Sequence, residues 1–212
     1  RADHVEEDHA EEHQQVRAIF DFDGTLTRRD SLLPFLWKVA AGPVSFLWNT
    51  MVLLPTLFRY AVGSLENGRA KERVLAQFLA GTPVEKARAI AKSFARKTIP
   101  SLLDLEAMDR LRWHQRQGHT TVLVTASPEL YARPWADGEG FDEVIGTHLE
   151  TKKGVFTGQF ATPNCYGPEK VRRLKAAGLA LNDATIYAYG NSRGDREMLN
   201  MADHGLYQSF GG

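Results

Sequence analysis

The stretch IFDFDGTLT, residues 19–27, decides how this chain is read. Asp21 and Asp23 stand one residue apart, directly after the apolar run 16–20 and before Gly24 and Thr25. Two carboxylates this close repel each other, so a cation or a proton must reward the arrangement. A short apolar run bounded by turn residues reads as a buried strand, here 16–22. Polar groups that follow such a strand collect at the carboxyl edge of a parallel sheet, where ligands bind. Two further apolar runs end in the same way. TTVLVTAS (120–127) closes in Thr125, Ala126 and Ser127, and ATIYAYG (184–190) leads into Asn191-Ser192-Arg193-Gly194-Asp195. Lys170 sits early in a predicted helix that follows Gly167-Pro168.

Moving outward from these runs, strands alternate with helices predicted over 102–117, 128–136, 168–177 and 195–202. That alternation predicts an α/β fold with a parallel, Rossmann-like sheet. Ser127 is expected to N-cap the helix that Pro128 opens, and Asp195 to start the helix that follows it. Lys152-Lys153-Gly154 is the predicted turn of a hairpin, and 205–210 a last strand.

Residues 31–99 differ in character. They read as helical, and from 32 to 62 Lys38 and Arg59 are the only charges. Gly42-Pro43 breaks the run into two helices. The apolar residues invite three readings: a helical pair buried in the protein, a hairpin lying on a membrane surface, or a membrane span. Further on, Thr82, Pro83 and Glu85 match an N-cap, a first-turn proline and a capping box.

Composition narrows the function classes. Of 212 residues, 26 are Lys or Arg and 26 Asp or Glu, so the formal net charge is zero. Such a chain lacks the basic footprint of a nucleic-acid binder, and nucleic acid is not an expected partner. Cys165 is the single cysteine, too few for a disulfide framework or a zinc site, and it reads as a small buried residue. Residues 1–15 contain His4, His9 and His13 among acidic groups, with no apolar segment, and read as a flexible tail. A cytoplasmic location is expected, with membrane association as the alternative.

The four polar clusters, taken in order, resemble the haloacid dehalogenase (HAD) superfamily of phosphotransferases. DFDGTLT resembles its first motif, DxDGT. VLVTAS resembles the second, Lys170 in GPEKV the third, and YGNSRGD the fourth. A helical insertion directly after the first motif is similar to the C1 cap of the phosphoserine-phosphatase-like branch. The resemblance implies a core over 16–29 and 100–212, a helical cap over 30–99, and a Mg²⁺-dependent phosphatase that hydrolyses a phosphomonoester through an aspartyl-phosphate.

In that reading Asp21 is the nucleophile and Asp23 the general acid and base. Thr125 and the backbone near Ala126 hold phosphate oxygens, and Lys170 adds positive charge beside phosphate and Asp21. Asp21, the Asp23 carbonyl, Asn191 and Asp195 form the implied Mg²⁺ site. Asn191 stands where the family usually has Asp, which removes one charge from that site. In the phosphoserine-type branch an acidic residue and a cap cation bind the amino acid. Asp30 and Lys71 are the matching candidates here. The layout also resembles C-type phosphatidylglycerophosphatase, which makes a lipid phosphate, reached through a membrane-surface contact of residues 32–62, the alternative substrate. A phosphate- or partner-binding protein without turnover is the third reading.

Overall fold

The computed structural model describes residues 15–179 and 181–207. The tail with His4, His9 and His13, and the end of the predicted last strand, lie outside the described residues. Five parallel strands form the central sheet: β1 (Gln15–Phe20), β2 (Thr120–Pro128), β3 (Glu143–Thr147), β6 (Ala184–Gly190) and β7 (His204–Tyr207), in the order β3-β2-β1-β6-β7. β4 (Leu149–Lys152) and β5 (Val155–Phe160) form a separate antiparallel hairpin. The central position of β1, between β2 and β6, brings the three chemically marked strand ends side by side.

Alternation along β1 builds two cores, one on each side of the sheet. Ile19 faces Val122, Val124, Leu174, Ile186 and Met198, covered by α7 (Pro168–Ala176) and α8 (Arg196–Met201). Ala18 and Phe20 face the other core, which continues through Phe22 and Leu26 into Phe35, Leu75, Leu79 and Phe94. Those four come from helices inserted between β1 and α5 (Leu105–Arg116): α1 (Leu32–Val39), α3 (Asn67–Leu79) and α4 (Val84–Lys97), with α2 (Pro43–Ala61) alongside. α6 (Glu129–Glu139) closes this layer with Tyr131 and Trp135. The hairpin packs on α3 at Gly158, whose φ is 86° and where a Cβ would meet Ala76 Cα at 2.5 Å. Only glycine fits so close an approach.

The start of α4 differs from the sequence expectation. The helix begins at Val84, Pro83 is extended, and no side chain caps it. The hairpin takes the place of Thr82 and its box: Val84 N donates to Gly154 O at 3.0 Å and Phe156 N to Thr82 O at 3.0 Å. Glu85 pairs with Arg88 instead. α5 also starts later than expected, because Asp104 accepts the Ala107 amide at 3.1 Å and so fixes the N-terminus.

The buried-pair reading of residues 32–62 holds for α1, which buries Phe35 and Leu36, and is corrected for α2. In α2 only Leu53 is buried, while Val44, Leu47, Trp48, Met51, Leu54 and Phe58 are exposed. Among the described residues no helix is long and apolar enough to cross a membrane, so the span reading falls as well. Pro55 lies inside α2. Gly42 does break the run, at φ 125° with Pro43 opening α2.

Candidate active site

Asp21 follows β1 and is fixed by its amide, which donates to Tyr189 O at 2.9 Å. Its side chain is buried against Lys170, which α7 delivers from beneath the sheet edge. Lys170 Nζ donates to Asp21 Oδ1 at 2.5 Å, to Asp195 Oδ1 at 2.6 Å and to Val124 O at 3.0 Å. An ammonium has three protons, and all three are committed. Burial alone would push Lys170 down, but the two carboxylates outweigh it and hold the ammonium charged. Burial raises Asp21 to about 6, although Lys170 pulls the other way, and the Asp195 charge adds to the rise. Asp195 stays below its ordinary value despite burial, because Lys170 and Ser192 favour the charged form.

Asp195 Oδ2 accepts from Ser192 N at 2.9 Å, Ser192 Oγ at 2.7 Å and Asn191 N at 3.2 Å. The carboxylate is thus occupied on both oxygens, and it holds Lys170 and the 191–195 turn. The expected helix start at Asp195 is a tight turn over Arg193–Asp195, closed by a capping box with Ser192, before α8.

Gly24, at φ 81°, turns the chain after Asp23. A Cβ there would meet Asn191 Nδ2 at 2.2 Å. Asn191 uses that space: its Nδ2 donates to Gly24 O at 2.6 Å. Its Oδ1 is buried and has no hydrogen-bond partner. Among the described residues no group of three His, Cys, Asp or Glu side chains could hold a metal. The oxygens left for a hard cation are therefore those of Asp21, the Asn191 amide and the backbone near Asp23. That set fits Mg²⁺, which binds through one or two carboxylates and completes its shell with water and phosphate.

The Asp23 side chain turns away from this cluster. Oδ1 accepts the Ser31 amide at 2.7 Å, and Oδ2 accepts a short bond from the Ser127 hydroxyl. Burial raises the Asp23 carboxyl, and the nearby Asp30 charge raises it further. Ser127 is the end of a chain of hydroxyls: Ser31 Oγ donates to Tyr131 OH at 3.0 Å, and Tyr131 OH donates to Ser127 Oγ at 3.0 Å. This corrects the N-cap expectation for Ser127. β2 runs on through Pro128, and the Ser127 side chain points to Asp23. Sequence reading missed Ser31, Ser127 and Tyr131 as site residues. The four-residue spacing from Ser127 to Tyr131, across the first turn of α6, was the available signal.

Thr125 is buried, and its Oγ1 accepts the Ser127 amide at 2.9 Å. The Ala126 carbonyl accepts from Lys71 Nζ at 2.9 Å and from Thr147 Oγ1 at 2.9 Å. Lys71 thus reaches from α3 down to the sheet edge. Burial lowers its ammonium, and Asp23 and Asp30 partly restore it. Asp30 itself is exposed and accepts the Leu32 amide at 2.7 Å. A cleft of about 840 Å³ lined by Arg88, Lys92, Arg133 and His148 contains none of these carboxylates.

Comparison with known proteins gives the family and the fold. The model of the haloacid dehalogenase-like hydrolase family matches residues 18–200. Protein CicA of Caulobacter vibrioides is 38% identical over 201 residues, covering 94% of this chain and 89% of its own length. A crystal structure from Bordetella pertussis, of a protein of unknown function, superposes with a TM-score of 0.74 at 30% identity, covering 88% of this chain and 86% of that one. A substrate-bound phosphoserine phosphatase superposes with a TM-score of 0.57 at 16% identity over 90% of this chain and 84% of its own, a likeness of fold alone.

Proposed function

Since this chain belongs to the haloacid dehalogenase-like hydrolase family, we propose that it hydrolyses a phosphomonoester through a phosphoryl group carried on Asp21, with Mg²⁺ as cofactor. The observation that carries this reading is the buried cluster of Asp21, Lys170 and Asp195 at the carboxyl edge of the three central strands. Two carboxylates share one ammonium there, and Asp21 is the one without a second set of strong donors.

Asp21 attacks the phosphorus and the bond to the leaving oxygen breaks. Asp23, held by Ser31 and Ser127 with its carboxyl raised, gives its proton to that oxygen. Asp23 then takes a proton from water, whose oxygen attacks the phosphorus and releases Asp21. Thr125 orients phosphate oxygens. Lys170 holds the Asp21 carboxylate in place and offsets its charge. Asp21, Asn191 and the Asp23 carbonyl would hold Mg²⁺, which supplies charge neutralisation at the phosphoryl oxygens when bound. Residues 30–99 serve as the cap, from which Lys71, already reaching Ala126 O, and Asp30 would contact the leaving group.

The test is hydrolysis of p-nitrophenyl phosphate with and without Mg²⁺, beside Asp21→Asn. Metal-dependent turnover that falls by about 10³-fold or more in the variant supports the reading. Turnover unchanged in Asp21→Asn refutes the nucleophile. A folded protein without turnover, whose melting temperature Mg²⁺ and fluoroberyllate leave unmoved, refutes the enzyme in favour of a binding module. Asn191→Asp adds a carboxylate and is expected to tighten Mg²⁺ binding about tenfold, read by titration calorimetry.

One observation favours a second reading, a phosphomonoester on a lipid: the apolar face of α1 and α2 stands beside the helix that carries Lys71. Faster hydrolysis of a lipid phosphate in mixed micelles than of short-chain analogues would select it.

A further inference from the structure

Helix α2 buries little of its hydrocarbon. Its inward side holds Leu53 and Phe46, which packs near Phe78 of α3, together with the polar Ser45, Asn49, Thr50 and Thr56, and Asn49 Oδ1 accepts from Gln77 Nε2 of α3 at 2.8 Å. Its outward positions are 44, 47, 48, 51, 54 and 58, a spacing of three and four that makes one continuous stripe. Those positions hold Val44, Leu47, Trp48, Met51, Leu54 and Phe58, with Val44 82% exposed, Phe58 68% and Trp48 67%. Leu33 and Trp37 of α1 extend the apolar surface. An exposed apolar patch of this continuity marks a surface with a partner.

Charge selects the partner. Between Asp30 and Glu66 the chain has no acidic residue, and its two charges, Lys38 and Arg59, are basic, exposed and placed in the last turns of α1 and α2. Arg69 and Arg73, also exposed, follow on α3. A second copy seated symmetrically on this face would bring Arg59, eleven residues after Trp48 and so on the same side of α2, against its own kind, with no carboxylate in the segment to answer it. A negatively charged lipid surface answers both features, since it accepts hydrocarbon into the acyl boundary and attracts the flanking cations. Trp37, Trp48 and Tyr60 are the side chains that favour that interface.

We propose that the outward face of α1 and α2 docks the protein on the surface of an anionic bilayer, with α2 lying in the interfacial plane. The inference is independent of phosphatase chemistry, because none of the docking residues belongs to the site around Asp21.

The test is flotation of the full chain with vesicles of phosphatidylcholine alone and of phosphatidylcholine mixed with phosphatidylglycerol. Flotation with the mixed vesicles, about tenfold or more stronger than with the neutral ones, is expected. Lys38→Gln with Arg59→Gln should remove most of that preference. Trp48→Glu with Phe58→Glu should abolish flotation while circular dichroism and p-nitrophenyl phosphate turnover stay unchanged. No flotation with either vesicle overturns the proposal. Equal flotation with both overturns the selection of an anionic surface. A dimer in sedimentation that the double Glu variant dissolves, without vesicle binding, assigns the face to a second copy. A protein that floats yet shows neither turnover nor a melting-temperature response to Mg²⁺ and fluoroberyllate would refute the enzymatic reading and leave the docking surface standing.

Discussion

The sheet edge and the outer face of α2 invert the usual partition of side chains in opposite ways. At the sheet edge three charges, on Asp21, Lys170 and Asp195, are buried. On α2, large apolar side chains stand in water. Proteins normally do neither without cause. The two cases differ in what completes them. The buried charges complete one another, since every Lys170 proton has an acceptor and Asp195 is bonded on both oxygens. The apolar stripe has no such closure among the described residues. The first region is satisfied within the chain, whereas the second is left uncovered by the described residues.

Removing a partner from the first region tests that closure and should have the largest effect. Lys170→Met keeps the length of the side chain and leaves two carboxylates buried without a counter-ion. Breaking a buried pair in this way costs about 3–5 kcal/mol. Urea denaturation at pH 7 should show a loss in that range, and turnover should fall by at least about 10²-fold. A loss of stability under about 1 kcal/mol would mean that water reaches the cluster, and the contrast with α2 would weaken.

The inward layer of the same helices gives the next largest effect. Leu75 of α3 is fully buried in the core shared with Phe20 and Phe22. Leu75→Ala should cost about 2–5 kcal/mol in the same assay, from lost burial and the cavity left behind. A small loss would show that the inserted helices are loosely seated on the sheet.

A third effect is the pH dependence of the buried charge itself, in EDTA. Asp21 rises from 3.8 to about 6 in the folded protein. Between those values the folded state holds more protons than the unfolded chain, so stability falls as pH rises through the window. The cost is absent below pH 3.8 and fully present above pH 6. Asp21→Asn lacks it, so the variant should gain on the wild type by at most about 3 kcal/mol between pH 4 and pH 7. Mg²⁺ favours the ionised carboxylate and should shrink that difference at pH 7.

The sheet edge was the more legible region in sequence, and the reason is physical. Strand ends carry their polar groups in contiguous letters, as in Asp21-Phe22-Asp23-Gly24-Thr25, so the parallel sheet and the strand-end places of Asp21, Thr125 and Asn191 follow from short stretches, whereas the order of the strands does not. What escaped was long-range. Ser127 resembles a helix cap beside Pro128, and only the fold shows Asp23, 104 residues earlier, as its partner. Thr82 and Glu85 spell a capping box that the 154–156 hairpin supersedes. In α2, hydropathy identifies an apolar helix, but apolar content does not say which way the stripe points. The inward Asn49, paired with Gln77, carried that information only once α3 was in place.

The smallest expected effect tests the outer face. Trp48 is large and apolar, and at a core position its loss would cost about 3–5 kcal/mol. At 67% exposure, little of its surface is withdrawn from water by folding. Trp48→Ser should therefore change stability in urea by no more than about 0.5 kcal/mol. The same substitution should reduce flotation with phosphatidylglycerol vesicles and delay aggregation at high protein concentration, because both depend on hydrocarbon presented outward. A loss comparable to that of Leu75→Ala would mean that the stripe packs against this chain, and the difference between the two regions would disappear. A neutral result in urea, joined to weaker flotation, would locate the value of Trp48 in contact with a membrane rather than in the fold.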